Sequence, residues 1–153
     1  MFRDHPLSGE AQTDPLSVLL NILWLVLGGA LAALGWFVAA LIMAITIIGL
    51  PWARAAWDNG VYTLWPFGAR PVSREGLYGP DIGTGPLGFI GNLIWFVLAG
   101  WWLALGHFVA AIGLAITIIG LPFAWAHLKL AGYSLWPIGR SIVGHTVRPA
   151  YRM

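Results

Sequence analysis

Two long stretches without a charged side chain limit what this chain can fold into. No Asp, Glu, Lys or Arg occurs from Leu16 to Ala53 or from Ile82 to Leu128. Apolar runs of this length are typical of segments that cross a bilayer rather than of a soluble core. Only 9% of the 153 residues are charged, and the mean hydropathy is +0.78. Since a soluble domain has about a quarter of its residues charged, we expect an integral membrane protein in contact with the lipid bilayer.

Composition also argues against several functions. The chain has no cysteine, which excludes disulfides, thiolate metal sites and a cysteine nucleophile. The net charge is only +2 and the basic residues form no stripe, so we expect no nucleic-acid partner. No Ser-His-Asp arrangement, paired carboxylate within a span or metal-ligand spacing is present, so we expect neither enzymatic activity nor a cofactor. Acidic residues precede the first apolar run, which is unlike a cleavable signal peptide and predicts an uncleaved anchor.

The sequence contains an internal repeat. An offset of 71 aligns residues 21–68 with residues 92–139 without a gap, and about 27 of the 48 pairs are identical. Self-similarity of this degree exceeds what apolar bias produces and indicates two copies of one structural unit. We therefore expect the two copies to pack about a pseudo-twofold axis.

The heptapeptide ITIIGLP occurs once in each copy, at residues 45–51 and 116–122. Glycine suits the end of a helix, and proline suits the first turn of a new one. Each copy of the motif therefore predicts a helix, a break and a second helix. The residues of these breaks that we take as candidates for a transport pathway are Thr46, Gly49, Pro51, Thr117, Gly120 and Pro122.

The number of membrane spans follows from length and charge. A single helix from Leu16 to Ile48 would be about 50 Å long, whereas the hydrocarbon core is about 30 Å thick. A hairpin in each copy, turning near residues 34–36 and 105–107, also places all basic residues on one face of the membrane, as the positive-inside rule requires. We therefore expect about four transmembrane helices with both termini in the cytoplasm. The alternative is one span per copy, which would give an inverted-topology repeat.

The expected fold class is all-α and membrane-embedded, with two tandem repeats of a helical hairpin plus a broken helix. The expected segments are a polar N-terminal tail (1–15), membrane repeat 1 (16–68), a linker rich in Gly and Pro (69–86), membrane repeat 2 (87–140) and a basic C-terminal tail (141–153).

Motifs of the second copy resemble a known family. They are the start Asn92–Trp95, Gly100-Trp101-Trp102, Leu105-Gly106-His107, ITIIGLP, Lys129-Leu130-Ala131 and the ending Leu135–Arg140. This combination resembles the YccF-type bacterial inner-membrane proteins, also described as the inner membrane component domain, over about residues 16–142. The resemblance implies a small multi-pass protein of the bacterial inner membrane built from two related halves. It carries over no reaction, substrate or catalytic residue.

Polar residues within the apolar runs allow two interpretations. Broken helices at matching positions line transport sites in several transporters, and Thr46 and Thr117 could line such a path. Alternatively, these hydroxyls bond back to their own helices. Asn21 and Asn92 lie inside apolar runs, where they could line a pore or hydrogen-bond between helices.

A second group of residues is expected at the membrane interface. Arg54 and Asp58 are four residues apart and can pair on one face of an amphipathic helix. His107 would need to titrate near neutral pH to sense protons, and an interfacial position is its alternative role. The full interfacial set is Arg54, Asp58, Trp65, His107, Lys129 and Trp136.

Two function hypotheses follow. The first is a homo-oligomeric channel or transporter for small ions, because a chain of this size encloses little space and a pore would need several copies. The second is a non-transporting structural or accessory membrane component that binds a partner protein or a lipid. Composition alone does not separate them.

Overall fold

Two long helices, one in each repeat, organise the fold. The computed structural model describes residues 14–47 and 49–144. The first long helix runs from Pro15 to Ile45 and the second from Pro86 to Ala115, each with a π-helical segment near its middle. Their parts are α1 (Pro15–Trp24), a π segment (Leu25–Gly29) and α2 (Ala30–Ile45), then α5 (Pro86–Trp95), a π segment (Phe96–Gly100) and α6 (Trp101–Ala115).

Local sequence accounts for where the first long helix starts and bends. Pro15 opens α1, and the carboxylate of Asp14 accepts a hydrogen bond from the Leu16 amide at 3.3 Å. The π segment contains Gly28, whose φ of 130° lies outside the helical region. Only glycine adopts this angle without strain, so the kink follows from Gly28.

The hairpin turns expected at residues 34–36 and 105–107 are wrong. Gly35 and Trp36 lie within α2, and Gly106 and His107 lie within α6. A helix tolerates a single glycine at a cost of about 1 kcal/mol, and the apolar residues on both sides continue the helix. The reversal of the chain comes later, at ITIIGLP.

The ITIIGLP motifs turn the chain back along the helix that precedes them. After the first motif α3 runs from Leu50 to Leu64, and after the second α7 runs from Leu121 to Leu135. Ile47 adopts a positive φ of 57° in the first turn; Ile48 of the same motif lies outside the described residues. The helix, break and helix predicted from the motif are confirmed, and the hairpin consists of α2 with α3 and of α6 with α7.

A small sheet corrects the all-α expectation. β1 (Ala69–Ser73) follows α3 and pairs antiparallel with β2 (Arg140–Gly144), which follows α7. A short helix, α4 (Glu75–Tyr78), follows β1 within the linker. The segment expected to be a C-terminal tail from residue 141 therefore begins inside a strand, and the remaining tail residues, 1–13 and 145–153, lie outside the described part of the chain.

The two repeats are related by a pseudo-twofold axis. Pro71 pairs with Ile142 at the centre of the sheet, and these residues are 71 apart, as are all equivalent residues of the repeats. Tyr62 and Tyr133, another equivalent pair, meet edge to face with ring centroids 5.7 Å apart. The axis therefore passes through the sheet and between these tyrosines.

The long helices have the character of membrane spans. Both are long and apolar enough to cross a bilayer, and in their most apolar windows only 22% and 17% of the residues are buried. Exposed aliphatic side chains line them, including Val26, Leu31, Val97 and Leu98. Within residues 14–47 and 49–144, two helices qualify, which is fewer than the four spans expected. α3 and α7 have 15 residues each, about 22 Å, which is shorter than the hydrocarbon core.

Candidate ligand-binding site between the two repeats

The threonines of the two breaks are engaged in their own turns. The Thr46 hydroxyl donates to the carbonyl of Met43 at 2.8 Å and accepts from the Gly49 amide at 3.2 Å. Thr117 makes the same pair of bonds in the second repeat, with the carbonyl of Leu114 and the amide of Gly120, each at 3.0 Å. Back-bonding of this kind shapes the turn. A role for Thr46 or Thr117 in a transport pathway stays a prediction.

The two breaks contact different helices. Trp52 directly follows Pro51 of the first break, and its indole N–H donates to the carbonyl of Gly91 on α5 at 3.0 Å. Beyond the second break and Pro122, Phe123 stacks on Trp24 of α1, with ring centroids 6.4 Å apart. Each hairpin therefore packs its break end against the first helix of the other repeat.

Asn21 and Asn92 connect the first helix of each repeat to the end of the hairpin. The Asn21 side chain donates to the carbonyl of Phe67 at 2.9 Å and accepts from its amide at 3.0 Å. Asn92 makes the same two bonds with Ile138, both at 3.0 Å. Each asparagine thus satisfies a backbone amide and carbonyl that lie beyond the end of the helix. Pore lining by these residues stays a prediction.

Three of the residues expected at the membrane interface, Trp65, Trp136 and His107, lie at the ends of helices or between them. Trp65 and Trp136 follow α3 and α7, each directly before a proline that stops the helix. The Nδ1 atoms of His107 and His127 lie 2.9 Å apart, so one imidazole donates and the other accepts. His127 also packs against the edge of Trp24 at 4.9 Å between ring centroids.

A polar layer lies where α3 and α7 cross. We define this polar layer as Asn59, Tyr62, Thr63, Tyr133 and Ser134, all of which are at most 1% exposed. The Ser134 hydroxyl donates to the carbonyl of Leu130 at 2.8 Å. The side-chain polar atoms of the other four have no partner among the described residues. Buried polar atoms in this state are costly unless water or a ligand satisfies them.

The two helices run in opposite directions where they cross. Lys129 of α7 reaches beyond the end of α3, where its Nζ donates to the carbonyl of Pro66 at 2.6 Å. On the other flank, Arg54 and Asp58 of α3 lie beside Arg140, just beyond the end of α7. The two flanks of the polar layer are equivalent by the pseudo-twofold axis but differ in their residues.

The flank at the start of α3 contains a cavity with a water-accessible volume of about 420 Å³, which we call the arginine cavity. Its charged lining residues are Arg54, Arg74, Arg140 and Asp58, and its apolar wall comes from the linker and α5, with Ile82, Leu87, Ile90 and Ile94.

The three arginines differ in how their guanidinium groups are engaged. Arg74 forms a two-pronged ion pair with Asp81, through Nε at 2.7 Å and Nη2 at 3.0 Å. Arg140 uses its Nε to donate to the carbonyl of Trp136 at 3.0 Å. Arg54 is exposed and forms no hydrogen bond or ion pair with a described residue. The cavity therefore retains guanidinium N–H groups that can bind an anion.

Asp58 sets the electrostatics of the arginine cavity. Partial burial raises the pKa of the Asp58 carboxyl above its usual value of 3.8, while Arg54 and Arg74 pull it in the opposite direction. The Asp81 carboxyl shows the reverse balance, since the hydrogen bond from Arg74 holds its pKa below the usual value. Counting Asp81, the three arginines and two carboxylates leave the cavity with a net positive charge when Asp58 is ionised.

The sequence interpretation named Arg54 and Asp58 but missed Arg74 and Arg140. A signal for the site was present in the repeat alignment. Identity falls to two of ten pairs where residues 52–61 align with residues 123–132, although the flanking motifs are conserved between the copies. The divergent stretch contains Arg54 and Asp58, the two charged cavity residues on α3.

Comparison with known proteins identifies both repeats. The sequence profile of the family described as "Inner membrane component domain" (YccF) matches residues 19–69 and again residues 90–140. The chain is 35% identical over 139 residues to "Inner membrane protein YccF" of Escherichia coli (strain K12), which covers 90% of this chain and 94% of that protein. The protein of the same name in Shigella flexneri matches to the same extent. No solved structure matches the chain.

Proposed function

The chain belongs to the YccF family of inner membrane component domain proteins, and from this premise we propose that it acts by binding a ligand rather than by moving one. In this proposal it is a non-transporting component of the bacterial inner membrane, and its binding site is the arginine cavity between the two repeats. No chemical reaction forms part of the proposal.

The arginine cavity carries this proposal. It joins cationic groups from three parts of the chain, namely Arg54 on α3, Arg74 before α4 and Arg140 at the start of β2. Concave sites with mostly apolar walls and a few convergent polar groups are the usual form of a binding site. Thr46, Thr117, Asn21 and Asn92 all use their side chains in hydrogen bonds to the backbone of the protein, which also supports a binding role over a pathway through these residues.

Ion transport by a homo-oligomer remains the competing prediction. Its test is ion flux in sealed vesicles that contain the purified protein, across several ions and membrane potentials. We expect no flux above that of empty vesicles. Reproducible flux that depends on the protein would replace the binding proposal with the transport hypothesis.

Site-specific photocrosslinking tests the binding proposal directly. A photoreactive amino acid replaces Leu87, which lines the arginine cavity and is 67% exposed. The matched control is Leu16, the equivalent residue of the first repeat, which is 60% exposed but does not line the cavity. We expect one discrete adduct, lipid or protein, at position 87 in intact membranes and none at position 16. Equal, diffuse labelling at both positions would contradict a site at the cavity.

Membrane topology stays part of the proposal. We propose that the sheet and the linker face the cytoplasm, because Arg70, Arg74 and Arg140 lie there and the positive-inside rule places such residues on that side. A single cysteine at Tyr78, which is 65% exposed, should react with a membrane-impermeant thiol reagent in inverted vesicles and not in intact spheroplasts. The opposite result would reverse this orientation.

A further inference from the structure

The internal repeat provides a built-in comparison for the arginine cavity. Because the repeats are related by the pseudo-twofold axis, the cavity residues that belong to a repeat, rather than to the linker, have equivalents on the other flank of the polar layer. Arg54 is equivalent to Trp125, Arg140 to Ala69, and Asp58 to Lys129. The second flank therefore lacks both arginines.

The second flank is also filled by aromatic side chains. Ile138 of the arginine cavity is equivalent to Phe67, and Trp52 is equivalent to Phe123. Phe67 and Phe123 pack edge to face with ring centroids 5.9 Å apart, and both stay within 8% exposure. One copy of the repeat thus closes this space with rings, and the other copy leaves it open and lines it with cations.

The open cavity continues onto the apolar surface of a candidate membrane span. Leu87, Ile90 and Ile94 of α5 line the cavity and are 67%, 51% and 41% exposed. Ile82 of the linker lines it too and is 78% exposed. A ligand held by the arginines would therefore have apolar contacts available on the exposed side chains of α5.

We propose that the arginine cavity binds the phosphate of an anionic phospholipid, with its acyl chains along Leu87, Ile90 and Ile94. Guanidinium groups bind phosphate oxygens through short, charge-assisted hydrogen bonds, and basic pockets beside membrane helices suit lipid headgroups. Arg54 and the free N–H groups of Arg140 supply the donors, whereas Arg74 is held in place by Asp81. This inference rests on the proposed binding function and names the ligand class of the same site.

Lipid retention measured by native mass spectrometry tests the proposal. The full-length protein in neutral detergent is titrated with short-chain phosphatidylglycerol and, separately, with phosphatidylcholine of the same chain length. We expect saturable binding of one phosphatidylglycerol and at least about tenfold weaker binding of phosphatidylcholine, because the net charge of the site is positive. Equal affinity for the two lipids would overturn the proposal.

Variants locate the lipid within the molecule. Arg54→Gln and Arg140→Gln should each weaken phosphatidylglycerol binding on the order of tenfold, which is the loss of one charge-assisted contact. Trp125→Gln changes the position equivalent to Arg54 on the other flank, where the side chain is exposed and does not line the cavity, and should leave the affinity unchanged. Thermal melting confirms that each variant is folded. Arg54→Lys keeps the charge and should therefore recover part of the affinity for phosphatidylglycerol. Unchanged binding in folded Arg54→Gln and Arg140→Gln protein would overturn the proposed site.

Soluble anions separate a lipid from a free phosphate. Inorganic phosphate and glycerol phosphate, added as competitors, should displace phosphatidylglycerol only weakly because they lack acyl chains. Displacement at concentrations comparable to those of the lipid would overturn the lipid proposal in favour of a soluble anion. A protein adduct at position 87 in the crosslinking experiment would also overturn it, while leaving the proposed binding function in place.

Discussion

Asp58 and Lys129 occupy equivalent positions in the two repeats but carry opposite charges. Lys129 extends over the rings of Tyr62 and Phe67, at 5.9 and 5.8 Å from their centroids, and binds the backbone beyond α3. Asp58 instead faces Arg54 and Arg74 in the arginine cavity. Duplication thus produced two symmetric flanks, of which one fastens the repeats together and the other forms a cavity.

Replacing Lys129 should loosen the contact between the repeats. Its Nζ donates to the carbonyl of Pro66 at 2.6 Å and of Ala69 at 3.4 Å, linking α7 to the end of α3. Lys129→Met keeps the stem and removes the charged donor, which should lower stability by about 1.5–3 kcal/mol. Thermal unfolding in detergent measures the loss. Arg54→Met is the control, since it removes an exposed cation that forms no hydrogen bond or ion pair with a described residue, and it should change the melting temperature much less. A Lys129→Met protein as stable as the parent would show that these bonds contribute little.

The two asparagine contacts should prove equivalent in stability. Asn21→Leu and Asn92→Leu each remove two hydrogen bonds and leave a backbone amide and carbonyl unsatisfied, buried at residue 67 and half-buried at residue 138. We expect each variant to lose about 2–6 kcal/mol, since each of the two unsatisfied groups costs about 1–3 kcal/mol. Chemical denaturation gives both values. If only one variant is destabilised, the symmetry of the two contacts does not extend to their energies.

Sequence patterns predicted the parts of this fold that depend on local chemistry. The charge-free runs indicated membrane-spanning helices but not that each run forms one long helix, the 71-residue offset indicated the two units, and Gly49 with Pro51 indicated a real break. The turn predicted at Gly35 was wrong because one glycine does not end a helix whose apolar pattern continues. The strands were missed because residues 69–73 and 140–144 lie far apart in the chain and pair only through the pseudo-twofold packing.

The candidate site was predictable only in part for a similar reason. Arg54 and Asp58 are neighbours on one helix, so their spacing reveals them. Arg74 and Arg140 join them through the packing of the linker and the end of α7 against α3, which no local pattern encodes. The difference between Arg54 and its equivalent Trp125 is visible in the sequence. Only the structure shows that these two positions lie on flanks related by the pseudo-twofold axis, one open and one filled.

Anion binding at the arginine cavity should strengthen as the pH falls towards the ordinary pKa of a carboxyl. Burial raises the pKa of Asp58 above 3.8, so its carboxylate takes up a proton at a higher pH than an exposed aspartate. Protonation removes the negative charge beside Arg54, whereas a phosphodiester keeps its own charge over this range. Phosphatidylglycerol titrations from neutral pH downwards measure the effect. The Asp58→Asn protein should bind phosphatidylglycerol tightly at all these pH values. If its affinity varied with pH as that of the parent does, the dependence would belong to another group.

The same pKa shift predicts how Asp58 affects folding. Because its pKa is higher in the folded protein than in the unfolded chain, the folded state binds the proton more strongly. The contribution of Asp58 to stability is therefore greatest below its unfolded value and decreases as the pH rises through the folded value. Melting temperatures of the parent and Asp58→Asn, compared over this pH range, should converge on the acidic side and separate on the neutral side, with the variant more stable there. A gap that stays constant with pH would contradict the shift.

The buried amide of Asn59 in the polar layer should lower the stability of the folded protein. Both amide atoms of Asn59 are buried without a partner among the described residues, and its equivalent in the second repeat is Leu130, which is fully buried. Asn59→Leu introduces the branched apolar side chain that the second repeat has at Leu130, so we expect a gain of about 1–3 kcal/mol. Thermal unfolding measures it, with Leu130→Asn as the reciprocal variant that should lose stability. A loss of stability in Asn59→Leu would mean that water or an ion satisfies the amide, and the polar layer would then be a binding site in its own right.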